Sequence, residues 1–518
     1  MLVKPGGKRF VESTAGDIAP EGSDERQVRP YVVQPPWRLL TGLDAVQVDV
    51  PGSPARQRRL HRQMRTLPAG TTLVLCSNGL GSRRRCRRFA RDGGIEALRE
   101  YIAIPSAHMP TCYVEDTPQA LGYFLSQRLA LPKGGAALSA VFGVAKRASR
   151  VIPYRWLGAV APVRITVGRV AAKGGDGFEA RRGATLLDVP GMHSLVLALS
   201  KDPNAKLTVL LFPYGASQPA LAVKVPATPA AEASIVAETR VLTELHASLS
   251  KRILESIPAL SELPESRGRT TLVTTALPGA PMTSRYHAWQ HLASPDAVRA
   301  DFAAVERWLV QFQGAAGEEP TPIDMDGGTA GVLARRFARH AQVGEAMRSL
   351  GAVYSRLRLS LTPKTAVHGD FWFGNLLLVG DEVSGVVDWE AGNSLGEPLR
   401  DWVRFALTYA LYLDRHSSAG RQVTGHPGLR AGAWGAGIEY AVDGEGWFPD
   451  LFREFLRNGL ARLGADPDRW RDAALAGLAE VAATADHVDF ARLHWQLFTR
   501  LAVRGSSVTS DAAAPLAQ

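Results

Sequence analysis

Over its first half this chain sets apolar residues in short runs, and over its second half they recur at helical spacing. Ala45-Val46-Gln47-Val48 reads as a strand, and a basic helix follows from about Pro54, with Leu60, Met64 and Leu67 on one face. Pro68-Ala69-Gly70 punctuates the chain before a buried strand, Thr72-Leu73-Val74-Leu75-Cys76. An Arg-rich helix ends at Gly93-Gly94, and Tyr101-Ile102-Ala103-Ile104 reads as the next strand. Strands alternating with helices predict a small α/β domain over 31–185, whose last strand is Val163-Arg164-Ile165-Thr166-Val167.

The texture changes near Pro190-Gly191. Strands are predicted at 195–199, 207–212, 220–225 and 270–276, interrupted by one helix over 231–249. From about 297 the chain reads as helical, apart from a hairpin-like island at 365–388. The expected fold class is therefore α+β. It comprises a disordered tail (1–30), the α/β domain (31–185), a strand-rich lobe (190–276), a mostly helical lobe (277–505) and a disordered tail (506–518).

At 518 residues the chain exceeds what one core usually organises, and its 46% apolar and 21% charged residues are ordinary for a soluble protein. The net charge of +10 comes largely from dispersed arginines, so it argues for solubility rather than nucleic acid. Cys76, Cys86 and Cys112 fit neither a zinc pattern nor a disulfide framework and read as reduced thiols. The opening residues lack the apolar core of a signal peptide, and the most apolar stretch, around Ala136–Val144, stops at Lys146-Arg147. A cytoplasmic protein without a transmembrane segment is expected.

The densest chemistry lies in the island. Thr365-Ala366-Val367-His368-Gly369-Asp370-Phe371-Trp372-Phe373-Gly374-Asn375-Leu376-Leu377-Leu378 is followed, after a Gly380-Asp381 turn, by Gly385-Val386-Val387-Asp388-Trp389-Glu390. Polar residues stand where apolar strands end, so a loop can present them while the strands stay buried. One acid, an Asn five residues on and an acid closing the next strand suit phosphoryl transfer: a carboxylate to orient a hydroxyl, and two oxygen donors for magnesium.

The order His-x-Asp-x-x-x-x-Asn with a strand-end Asp resembles the protein-kinase catalytic loop. With Gly369 in place of the protein-kinase Arg, and with Gly396-Glu397-Pro398-Leu399-Arg400-Asp401 following, it is similar to the aminoglycoside phosphotransferase and choline kinase family over about 190–505. That resemblance implies a bilobal protein-kinase-like fold, ATP and Mg2+ as cofactors, and a small-molecule hydroxyl acceptor: a sugar, aminoglycoside or amino alcohol. It implies that Asp370, with His368, is catalytic and that Asn375 and Asp388 hold the metal. Leu221-Ala222-Val223-Lys224-Val225 looks like the strand that places Lys224 on the triphosphate and Ala222 beside adenine. Glu238 falls within the Ile235, Leu242, Leu245 and Leu249 stripe, where it needs a cation, and Lys224 is the expected one. Thr274, Thr275 and Ala276 look like the hinge strand whose backbone meets adenine, and Asp401 looks like a brace for the catalytic loop.

Two departures stand out: the phosphate-covering turn, 199–206, contains no glycine, and Phe373 stands where many relatives carry Pro. They leave a second reading, a catalytically weak pseudokinase serving as a scaffold. Glu439, Asp443, Glu445 and Asp450, in or near the Gly- and aromatic-rich stretch 416–447, are candidates to meet an amino sugar. Most of the eleven tryptophans lie in the helical lobe and are expected in its core. Residues 42–106 weakly resemble the second half of a class I methyltransferase sheet, without its cofactor half, which suggests a vestigial or protein-binding module. Its run Arg83-Arg84-Arg85, Arg87 and Arg88 reads as a solvated or interface face, with an anionic ligand or membrane surface as the alternative.

Overall fold

A computed structural model describes residues 45–79, 81–104, 112–127, 161, 163–171, 189–197, 204–262, 271–314, 319–340 and 343–511. Both expected tails, the Ala136–Val144 stretch and most of the 199–206 turn lie outside them, although the last helix, Val488–Asp511, runs past the expected boundary at 505. The chain is α+β and divides into two compact units, one rich in strands and one mostly helical. No described helix is long and apolar enough to cross a membrane.

The strand-rich unit carries one nine-stranded sheet. Its strands are β1 (Val46–Asp49), β2 (Thr72–Asn78), β3 (Ile95–Ile104), β4 (Cys112–Glu115), β5 (Val163–Val170), β6 (Met192–Leu197), β7 (Lys206–Pro213), β8 (Leu221–Pro226) and β9 (Leu272–Thr275). They lie in the order β1-β2-β5-β3-β4-β6-β7-β8-β9. Only β1 and β2 pair in parallel; β5 runs antiparallel to β2 and β3, and every later pair is antiparallel.

The boundary expected at 180–190 is a seam inside this sheet. β4 pairs with β6 through Cys112↔Leu197, Tyr113↔Val196 and Val114↔Leu195. All of β4 is buried, so the strand has an apolar reason to be covered on both edges. Glu115 closes the seam: it accepts from Arg99 Nη1 at 2.9 Å, the Ser194 amide at 2.6 Å and pairs with His193 Nδ1 at 3.0 Å. One apolar layer, from Val74 and Tyr101 through Val196 and Val209 to Val223 and Val273, spans both halves.

The Arg-rich helix, Ser82–Asp92, leaves Arg84, Arg87, Arg88 and Arg91 exposed and engages part of its charge within the unit. Arg83 and Arg87 meet Glu100, Arg83 also meets Asp116, and Arg85 donates to the Asn78 carbonyl. The three cysteines are free and buried.

The helical unit is built on the helices Pro295–Gln313, Leu399–Leu411, Trp447–Arg462, Trp470–Thr484 and Val488–Asp511. Trp308, Trp389, Trp402 and Trp495 are buried among them, whereas Trp289 is 89% exposed, against the expectation for the tryptophans. The stretch 416–447 contains a helix, Ala436–Asp443, rather than only loop.

Two imidazoles are enclosed here. His426 pairs with the Leu292 carbonyl through Nε2 at 2.8 Å, and its Nδ1 has no hydrogen-bond partner. His494 Nδ1 pairs with the Phe490 carbonyl at 2.9 Å. Burial pushes both down from 6.5 to about 4. Unfolding lets each take up a proton below its ordinary value. The stability that neutral burial maintains is therefore complete above pH 6.5 and is lost as pH falls from there towards about 4. At pH 5 the loss is roughly 2 kcal/mol per imidazole. Urea midpoints measured across this range should fall with acidity and fall less steeply in His426→Gln; an unaltered slope in that variant contradicts the assignment.

Candidate active site

The island forms as its pattern requires. Leu376–Val379 and Glu382–Val386 make an antiparallel hairpin around Gly380-Asp381, and Thr365–Val367 pairs with Asn393–Gly396. Between these strands the chain from His368 to Asn375 is a loop resting on buried Phe371 and Phe373. Phe373 stacks on Tyr286 at 4.2 Å between ring centres, so this departure is absorbed by packing.

Asp401, on the Leu399–Leu411 helix, braces the loop from beneath. Its Oδ2 accepts from the His368 amide at 2.8 Å and its Oδ1 from the Gly369 amide at 2.9 Å. Burial raises its carboxyl, against the opposing effect of His368 and these two amides. His368 is fully buried and reaches the other way, with Nε2 on the Val387 carbonyl at 2.9 Å and Nδ1 accepting from the Asp370 amide at 3.3 Å. A ring so enclosed does not meet a substrate. The structure corrects the catalytic role expected of His368 to one of positioning Asp370.

Gly369 has φ +78°, and a Cβ there would lie 2.1 Å from the Ala391 carbonyl oxygen. Glycine is thus a steric requirement of this loop. Gly369→Ala is expected to lose about 2 kcal/mol more than Gly380→Ala, since a Cβ at Gly380 has a similar φ penalty and open space. Equal losses in denaturant titration would remove the steric argument.

Asn375 ties the two acids together. Its side-chain amide donates to the Asp370 carbonyl at 3.0 Å and to Asp370 Oδ2 at 3.4 Å, and its own carbonyl accepts from the Val387 amide at 2.9 Å. Val387 is therefore held on both sides, by His368 and by Asn375, immediately before Asp388. Asp388 has φ +72°, one of two positive values at non-glycine positions among the described residues. An Asp in that region is held there by its neighbours, and such strain concentrates at functional sites. The next amide, Trp389, donates to Glu238 Oε1 at 3.2 Å.

Glu238 lies on the Pro229–Ser248 helix and is 2% exposed. Its carboxylate, with those of Asp388 and Glu390, forms a group whose oxygens lie within 4.8 Å of one another. Hard oxygen donors packed this closely, with the Asn375 backbone carbonyl tied to the same strand end, fit magnesium rather than a soft metal. Ser234 donates to Glu390.

Two residues of this site escaped the sequence reading. Glu390 adjoins the expected acid but carried no separate signal. Arg404 makes two bonds to Asp370 Oδ1, from Nε at 3.0 Å and from Nη2 at 2.6 Å. It stands three residues after Asp401 on one helix, and that spacing puts both on the face turned to the loop.

In the strand-rich unit, Val223 and Val225 are buried while Ala222 and Lys224 take the opposite face, as alternation predicts. Ala222 pairs with Thr274, whose hydroxyl lies 3.5 Å from the Ala222 carbonyl, and Thr275 is exposed at the end of β9. The Ala276 amide donates to the Ala220 carbonyl at 2.9 Å.

Residues 213–415 match the model of the phosphotransferase enzyme family (APH). The matched span begins after the N-terminal sheet strands and adds nothing to the methyltransferase-like reading of 42–106. No curated protein matches the chain. Similar solved structures include a thermostable mutant of aminoglycoside phosphotransferase APH(4)-Ia in ternary complex with AMP-PNP and hygromycin B (12% identity, 62% of this chain, 95% of that one, TM-score 0.40). Others are the streptomycin-ATP-APH(2")-IIa ternary complex (13%, 63% and 97%, TM-score 0.37) and macrolide 2'-phosphotransferase MphH from Brachybacterium faecium (16%, 57% and 90%, TM-score 0.34). At these scores the structural likeness adds no weight to the family match. The matched span holds Lys224, Glu238, the His368–Asn375 loop, Asp388 and Asp401, so the segment 213–415 that is similar to the phosphotransferase enzyme family is the one that carries the site.

Proposed function

We propose that this chain is an ATP- and magnesium-dependent phosphotransferase that moves the γ-phosphate to a hydroxyl of a small molecule. The observation that carries this reading is the clamp on Val387, which fixes Asp388 against the loop bearing Asp370 and Asn375. Asp388 and Asn375, with Glu238 and Glu390 nearby, would hold magnesium. When bound, the metal neutralises charge on the β- and γ-phosphates. The sequence assigns Lys224 to the triphosphate and pairs it with Glu238, and both assignments belong to this proposal.

Asp370 Oδ1 is occupied by Arg404, so Oδ2 is the oxygen that faces an incoming hydroxyl. A carboxylate anchored by an arginine is positioned to orient the hydroxyl more than to strip it. That suits a loose transition state, in which the proton leaves late. The acceptor oxygen forms a bond to the γ-phosphorus as its bond to the β-phosphate oxygen breaks. ADP leaves, and the hydroxyl proton passes by way of Asp370 to solvent. Incubating the protein with ATP, magnesium and a mixture of hydroxylated small molecules should yield a new phosphomonoester signal by 31P NMR, abolished by a chelator. A mixture that never yields one, while controls with an active kinase do, refutes the reading.

A further inference from the structure

Two arginines, Arg404 and Arg415, lie near Tyr412, which also feels Asp370. Arg404 pairs with Asp370, and Tyr412, one residue past the same helix, lies in the same neighbourhood. Burial raises the Tyr412 hydroxyl, which feels the charges of Arg415, Arg404 and Asp370 together. The Arg415 guanidinium sits 5.4 Å from the centre of the Tyr412 ring, is exposed, and makes no ion pair among the described residues. Asp414, its neighbour in sequence, accepts from the Gly432 amide instead. Beside Arg415, His287 Nδ1 and His416 Nε2 share a hydrogen bond at 2.9 Å, and both rings are held below their ordinary value by burial and by the Arg415 charge. One ring donates to the other, and neither offers a negative charge to a cation.

Of the four carboxylates expected to meet an amino sugar, Glu439 and Asp443 are engaged elsewhere, while Glu445 and Asp450 are exposed. Glu439 pairs with Arg500 at 2.8 Å and Asp443 with Arg471 at 2.6 Å. A polycationic acceptor approaching Asp370 would be opposed by the charges of Arg404 and Arg415.

Granting the phosphotransferase reading, we infer that the acceptor carries an anionic group (carboxylate, phosphate or sulfate) besides its reacting hydroxyl, and that Arg415 holds that group. Arg404 anchors Asp370, while the forked guanidinium of Arg415, backed by the Tyr412 ring, offers paired donors to the anion.

The test is ADP release by the full chain with ATP and magnesium over three matched sets. These are sugar phosphates with hydroxycarboxylates, uncharged sugars with polyols, and amino sugars with amino alcohols. The fastest acceptor should be anionic. Arg415→Gln should lower its kcat/KM by about 30-fold, mainly through KM, as the loss of a charge-assisted contact does. A cationic or uncharged best acceptor overturns the inference, as does an Arg415→Gln effect of less than about twofold. Silence from all three sets also overturns it. If ATP still stabilises the protein in that case, only the acceptor inference falls; if ATP does not, the phosphotransferase reading falls with it.

Discussion

Asp370→Asn should lower phosphoryl transfer by about 1,000-fold while leaving the protein folded and able to bind ATP. The substitution keeps the side-chain shape and the loop around it. It removes the charge that orients the hydroxyl and replaces one acceptor oxygen with a donor facing either Arg404 or the acceptor. The lost ion pair is part-exposed, so the stability change should stay within about 1 kcal/mol. Single-turnover rates beside thermal unfolding of the same sample check both halves. A rate within tenfold of the parent's would show that Asp370 is not the orienting group.

Asp401→Leu should have the largest effect on stability, roughly 3–5 kcal/mol, because it strands the His368 and Gly369 amides in a buried place without an acceptor. The loss should reach activity as well, since the same two residues set the position of Asp370. Asp401→Asn retains one acceptor oxygen and should fall between the parent and Leu. Urea denaturation of the three proteins orders them. If Leu were as stable as the parent, the loop would be held by something other than this carboxylate.

The sequence made the local elements legible where period and punctuation agreed. Leu221–Val225 alternates, Ile235–Leu249 repeats at helical spacing, and Gly380-Asp381 marks a hairpin, and each is found as expected. The acids of the island were equally legible, because charged residues at strand ends have few structural reasons to be there. Long-range pairing was not. Nothing in Cys112–Glu115 announces that it will pair with Met192–Leu197, for a short buried strand is compatible with many partners. Helix-borne contributors were harder still. Arg404 looks like any helix arginine until the helix is rotated by its buried face, and only then does its place beside Asp401 become informative. His368 shows the reverse. Its motif position suggested chemistry, and its burial shows a bracket between two backbone segments.

The most direct measurement is the unfolding midpoint with ATP, with and without magnesium, for the parent protein and Asp388→Ala. With ATP at about 100 times its dissociation constant the parent should gain about 2.7 kcal/mol, only when magnesium is present, and Asp388→Ala should lose that gain. Midpoints that ignore ATP and magnesium in the parent would contradict a nucleotide site built on Asp370, Asn375 and Asp388.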